Sequence, residues 1–209
     1  MVTLTKQINR EEYTIQKYGH IDRFVSYAHQ LREIAKCNPK TMLEIGVGDR
    51  LVGNYIRNNT AIHYTSADIA DDVGADVIAS VTELPFEDNS FDVACAFEVL
   101  EHLPYDLFDT ALSELARVSK KDVLISLPHF APPIKFLLKL PFLPELKFAF
   151  KVPYPRVHEF DGQHYWEIGK KGYSVAQIRE KLQKYFEIRN EYVPFGNQYH
   201  RFFVLTKKV

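Results

Sequence analysis

The stretch Thr41 to Arg50, TMLEIGVGDR, limits what this chain can fold into more than any other. Met42, Leu43 and Ile45 suit a buried strand. Gly46, Val47 and Gly48 then make a turn with little side chain, and Leu51 to Asn58 can continue as a helix. A strand, a glycine turn and a helix form the opening unit of nucleotide-binding α/β sheets. Without a Cβ the glycines let a ligand approach the backbone, and the free N–H groups at the helix start can meet a negative group. A dinucleotide site asks for G-x-G-x-x-G, and Leu51 occupies the third glycine position, which disfavours an NAD-dependent oxidoreductase. A glycine turn that holds no ligand is the alternative on this stretch alone.

The size of the chain suits one domain over 1–209, because 209 residues can bury a sizeable core. With 26 Lys and Arg against 27 Asp and Glu there is no global basic field for nucleic acid. Cys37 and Cys95 form no metal spacing and no disulfide framework, which predicts a reducing, cytoplasmic setting. The N-terminus is polar without a signal-peptide pattern, and no apolar run is long enough to cross a membrane as a helix.

Taken in order, 1–40 predicts an N-terminal helical segment. Its main helix, Ile21 to Cys37, shows Ile21, Phe24, Val25, Ala28, Leu31, Ile34 and Ala35 on one face. Asn38-Pro39 ends it. After the glycine turn, Ala61 to Ala67 reads as a second strand running into Asp68, 22 residues beyond Gly46. A β-α-β unit puts a carboxylate there, at the strand tip, able to accept both hydroxyls of a ribose. Asp76 to Ser80 is a short third strand, Asp92 and Val93 begin a fourth, Phe108 to Ser119 is helical, and Asp122 to Leu127 is a fifth strand. Ser174 caps a helix through Phe186, and Glu187 to Val193 and Arg201 to Lys207 are two closing strands.

Glu44 lies two residues before Gly46, LPFEDNSFDV spans Leu84 to Val93, and FEVLEHL spans Phe97 to Leu103. This set resembles the class I S-adenosylmethionine-dependent methyltransferases, and within them the broad type 11 group. Arg50 stands where their first motif has its third glycine, and Ser80 stands where an aspartate usually holds the adenine amino group. The resemblance is good over Thr41 to Pro128 and holds only in outline elsewhere. It implies a Rossmann-like α/β fold: a seven-stranded sheet, mostly parallel with an antiparallel last strand, and helices on both faces. It implies S-adenosylmethionine as cofactor. The expected contacts are Glu44, Gly46, Val47 and Gly48 in the first loop, Asp68 and Ile69 after the second strand, Ser80, Val81 and Thr82 near the adenine, and Phe97 and Glu98 at the methionine end. N-terminal segments in this family often close over the cofactor, which makes Tyr18 a further candidate.

Methyl transfer from a sulfonium is an in-line displacement, in which positioning and exclusion of water supply much of the rate. A hydroxyl or protonated amine as acceptor needs a base. The histidines available are His102, His129, His158 and His164, with His102 first because it opens a helix beside the methionine end. Glu98, Glu101 and His102, with His129 after the fifth strand, are similar to the metal-binding set of small-RNA 3′-terminal 2′-O-methyltransferases and some ubiquinone-pathway O-methyltransferases. A divalent-metal-assisted O-methyltransferase is therefore an alternative, although no metal is assigned. A non-catalytic S-adenosylmethionine-binding protein is another.

Pro128 to Tyr173 has no clear period and is rich in proline and aromatic residues. It leaves the end of the fifth strand, where ligands sit in such sheets, and predicts an inserted cap over 128–173 on the substrate side. His158, His164 and Trp166 are expected to face the transferred methyl, so the catalytic candidates are His102, His164 and Trp166. The many aromatic side chains predict packing rather than disorder. Lysines interleaved with Leu and Phe over 130–151 predict contact with a membrane surface, and hence a small-molecule or lipid-linked acceptor.

Overall fold

The structure is a computed structural model and describes residues 6–208. Two short N-terminal turns lead to the helix α1 (Ile15–Tyr18) and the long helix α2 (Ile21–Cys37). β1 (Thr41–Ile45), α3 (Leu51–Asn59), β2 (His63–Asp68), β3 (Val77–Ile78), β4 (Phe91–Phe97), α4 (Phe108–Val118) and β5 (Ser119–Pro128) follow. A hairpin, β6 (Pro133–Leu138) and β7 (Leu146–Lys151), precedes α5 (Val175–Tyr185), β8 (Phe186–Tyr192) and β9 (His200–Lys207).

The main sheet has seven strands in the order β3-β2-β1-β4-β5-β9-β8. β1 runs parallel to β2 and β4, and β4 parallel to β5, whereas β9 runs antiparallel to both β5 and β8. The predicted mostly parallel sheet with its antiparallel last strand is what the chain forms. Strand order reverses between β1 and β4, and in open α/β sheets the ligand crevice lies at that reversal.

Helices cover both faces, so the central strands are apolar on both sides. Leu43 and Ile45 of β1 pack with the α4–α5 layer, and Met42 of the same strand packs with α2 and α3. Ser174 caps α5 as expected, accepting from Gln177 N at 3.2 Å. The third strand is shorter than expected, because Asp76 turns to accept from Ser66 N and Oγ at 2.8 Å each instead of extending the ladder.

Helix α2 corrects the sequence reading. Its extent is as predicted, but Ile21 is 85% and Phe24 50% exposed, while Ser26, Tyr27, Gln30, Glu33 and Ile34 are buried. The helix turns a largely polar face inward because, in its first half, that face borders a polar cavity rather than a greasy sheet.

The segment after β5 also departs from expectation. β6 and β7 form a separate two-stranded sheet whose side chains are mostly exposed. Further along, Trp166 is fully buried among Tyr105, Phe108 and Tyr173.

Candidate cofactor and acceptor site

A cavity of about 240 Å³ opens at the C-terminal ends of β1, β2 and β4. Its floor is the predicted glycine turn, with Glu44, Gly46, Val47 and Gly48 all lining it. Gly46 holds φ +78°, and a Cβ there would stand 2.3 Å from Val99 Cγ2, so only glycine fits. Arg50, at the position where the resemblance expects glycine, takes the same left-handed region at φ +64°. The turn keeps its geometry without the third glycine, at a conformational cost of roughly 1–2 kcal/mol.

Glu44 is buried and accepts a hydrogen bond from the Tyr64 hydroxyl. Burial pushes its carboxyl up to about 7. Asp68 ends β2 as expected. Its Oδ2 accepts from Val47 N at 2.8 Å and its Oδ1 from Ala70 N at 2.9 Å. One carboxylate thus ties the tip of the glycine turn to the next strand while still lining the cavity. Burial raises its pKa although these N–H donors oppose the shift.

Ile69, Ser80, Val81, Phe97 and Glu98 also line the cavity. Thr82 does not, which corrects the expected adenine contact: its hydroxyl lies 2.8 Å from Ser80 Oγ and its N–H is 3.2 Å from the same oxygen, closing a small turn. Tyr18 lines the cavity, together with Gln7 and Tyr13. Tyr27, Gln30 and His200 are wall residues that sequence reasoning missed. The inward polar residues of α2 left one trace in the sequence: Ser26, Gln30 and Glu33 stand at i, i+4 and i+7.

At the β4 end lies a cluster of carboxylates and imidazoles. Glu98, Glu101, His102 and His164 all line the cavity. Glu101 is fully buried, and neither of its carboxylate oxygens has a hydrogen-bond partner. His164 Nε2 lies 3.9 Å from Glu101 Oε1, and His164 Nδ1 lies 3.0 Å from Glu167 Oε1. His102 Nδ1 lies 2.7 Å from Gln7 Oε1 and 3.1 Å from Gln163 O.

All four histidine candidates are therefore sorted by position. His102 and His164 reach the cavity, whereas His129 does not: its Nδ1 accepts from Arg201 Nε at 3.0 Å and it sits outside the lining. His158 also lies off the cavity, 2.8 Å from His164 O. Trp166, expected to face the methyl, instead donates its Nε1–H to Leu103 O at 3.1 Å inside the core. The physical reason is its neighbour: Tyr165 N donates to Glu101 O at 2.8 Å, which turns His164 toward the cavity and Trp166 away from it.

Burial also sets the charges here. It pushes Glu98 up to about 7 and Glu101 well above the usual carboxylate range. It drives His102 down to about 4 and His200 to about 3. Glu167 is different: burial raises it, but the hydrogen bonds from His164 and Tyr199 outweigh that and hold its carboxyl low.

The Glu98 shift predicts a pH effect with a definite sign. Its folded value near 7 exceeds the ordinary 4.5, so between those values the native state holds a proton that the unfolded chain has lost. Stability then falls as pH rises through that window. Glu98→Gln is expected to remove this slope, so the wild-type-minus-variant difference in thermal midpoint shrinks from about pH 4.5 to 7. A difference that grows with pH would contradict the assignment.

Residues 43–127 match the protein-family model described as Methyltransferase domain. Over those residues the chain carries a methyltransferase domain. Solved structures share the fold of this chain at low identity. One is Burkholderia thailandensis 1,6-didemethyltoxoflavin-N1-methyltransferase, with S-adenosylhomocysteine bound, at 15% identity and TM-score 0.62, covering 96% of this chain and 87% of that one. Another is magnesium protoporphyrin IX methyltransferase from Synechocystis PCC 6803, with S-adenosylmethionine bound, at 15% and 0.59, covering 93% and 84%. A third, a Haloferax volcanii protein in complex with the Trm112 methyltransferase activator, gives 12% and 0.61, covering 96% and 97%. No curated protein sequence matches the chain.

Proposed function

We propose that the methyltransferase moves the methyl group of S-adenosylmethionine to an oxygen or nitrogen of a small-molecule or lipid-linked acceptor, seated against Glu98, Glu101, His102 and His164. The observation that carries this reading is the Glu167–His164 pair beside Glu101. A proton on His164 Nδ1, held by the ionised Glu167 at 3.0 Å, leaves Nε2 free to accept one from the acceptor. The displacement breaks the bond from sulfur to methyl, forms the bond from the acceptor atom to methyl, and leaves a neutral thioether. No residue has to activate the methyl group. The adenosine end is assigned to Glu44, Gly46, Val47, Gly48, Asp68, Ile69, Ser80 and Val81, and the methionine end to Phe97 and Glu98.

Titration calorimetry with S-adenosylhomocysteine and with NAD tests the cofactor half, and an acceptor library tests turnover. Asp68→Ala is expected to weaken S-adenosylhomocysteine by roughly 1.5–3 kcal/mol, the scale of lost hydrogen bonds to a charged acceptor. Tighter binding of NAD, or an Asp68 variant that binds like wild type, would overturn the site. Binding without turnover on any acceptor would favour a non-catalytic role.

One observation supports a second reading, a divalent cation in the acceptor half. Glu101 has two buried oxygens without partners, and Glu101, His102 and His164 each offer a ligand atom within 4.8 Å of the others. His164 takes the place that the resemblance implies for His129. Two imidazoles and one carboxylate suit manganese or iron(II) rather than magnesium, and such an ion would lower the pKa of an acceptor hydroxyl. Ligation requires ionised carboxylates. Manganese is then expected to raise the thermal midpoint at about pH 8 and not at about pH 5. No shift at either pH, and no metal by elemental analysis, removes this reading and leaves His164 as the base.

A further inference from the structure

The β6–β7 hairpin has an unusual distribution of side chains. The register pairs Ile134 with Phe150, Phe136 with Phe148, and Leu138 with Leu146, so one face is wholly apolar. These six side chains are each between 41% and 58% exposed. The other face carries Lys135, Lys147 and Lys151. That basic face is turned toward the rest of the protein. Lys135 and Lys147 place their ammonium groups 5.1 and 5.7 Å from the centre of the Phe195 ring, in the loop between β8 and β9, and Lys151 donates to His129 O. The apolar face therefore points away from the body, the reverse of what water favours.

We infer that this hairpin inserts its apolar face and tip into the interface of an anionic lipid bilayer. Three features favour lipid over a second copy of the chain or another protein. Between 130 and 156 there are five basic residues and one acidic one, in a chain whose formal net charge is −1. Two such hairpins face to face would repel, whereas an anionic surface attracts them. The apolar surface also continues past the strands onto the tip, through Leu140, Phe142 and Leu143, all exposed. A projecting tip suits penetration of a soft interface better than contact with a rigid one. Finally, Phe142 holds φ +67°, a region that bulky residues avoid, and Lys139 Nζ donates to Leu143 O at 2.7 Å to close that turn. Strain is spent to hold an aromatic ring at the tip.

The hairpin follows the C-terminal end of β5, an inner strand of the main sheet, and the same inserted segment supplies Gln163 and His164 to the cavity lining. Insertion would bring the acceptor half close to a bilayer, the setting for a lipid-linked acceptor. The inference concerns binding only and stands independently of the acceptor proposed above.

Sedimentation of the full chain with vesicles tests it. Vesicles of phosphatidylcholine mixed with phosphatidylglycerol are expected to carry down most of the protein, and phosphatidylcholine alone much less. Binding to the mixed vesicles should fall severalfold on raising salt, since the basic part is screened. The double substitution Phe142→Asp, Phe148→Asp should lower the partition at least tenfold. It should leave the thermal midpoint and S-adenosylhomocysteine affinity unchanged, because both rings are exposed. Protein that stays in the supernatant with both vesicle types overturns the inference, as does a variant that sediments like wild type. A lipid-free dimer broken by the same substitutions would assign the face to a second copy instead. Affinity for S-adenosylhomocysteine, measured on the same preparation, reports the cofactor site separately, so either reading can fail without the other.

Discussion

Trp166→Ala is expected to cost about 3–5 kcal/mol of stability, the range for truncating a large buried aromatic side chain. The indole is fully buried, with ring centres 4.9 Å from Phe108 and 5.1 Å from Tyr105. Removing it opens a void that helix α4 and the turn at Tyr105 cannot both fill. It also leaves Leu103 O without its donor. Trp166→Phe keeps most of the packing and isolates that second loss, about 1–3 kcal/mol for an unpaired buried acceptor. Urea unfolding midpoints measure both. Full stability with lost turnover would return Trp166 to the cavity, where the sequence reading put it.

The second large effect lies three residues from Glu167. His164→Ala is expected to lower turnover by roughly 10²–10⁴-fold, the usual worth of a positioned base. S-adenosylhomocysteine affinity should stay within about twofold, since acceptor activation and cofactor binding are separate contributions. Glu167→Gln removes the charge that holds His164 Nδ1–H and should displace the pH profile of kcat/KM as well as lower it. His102→Ala provides the comparison, because it lines the same cavity from the opposite chain segment. If turnover follows His102 and ignores His164, the base belongs to the turn after β4.

The two substitutions show what sequence patterns carried and what they did not. The glycine turn and the place of Asp68 at a strand end were legible because backbone geometry and residue type coincide there. Glu44 to Gly48 can do little else in a chain with this period. The acceptor half was only half legible. His164 and Trp166 sit two apart, and nothing in their order says which one faces the cavity. That depends on a backbone hydrogen bond between Tyr165 N and Glu101 O, 64 residues distant in the chain. His129 was misplaced for a similar reason, since Arg201 comes from the last strand and captures it. The inward face of α2 was misread because apolar period finds greasy cores, and this helix borders the cavity with Ser26, Tyr27 and Gln30. The aromatic residues of 130–151 were read as packing material, yet the register of the hairpin puts six apolar side chains on the outward face.

The Tyr64–Glu44 hydrogen bond beneath the cofactor turn has a consequence for how this sequence can drift. Gly53 lies inside α3, where alanine would ordinarily be favoured by about 1 kcal/mol. A Cβ at that position would stand 2.3 Å from Tyr64 Oη and 2.7 Å from its Cζ. Removing the hydroxyl alone is not enough, because the ring carbon still obstructs. A side chain at 53 requires the Tyr64 ring to move or to be replaced by a smaller residue, and the acid at 44 then loses its donor. Acquiring the better helix former at 53 is thus tied to a looser floor beneath the glycine turn.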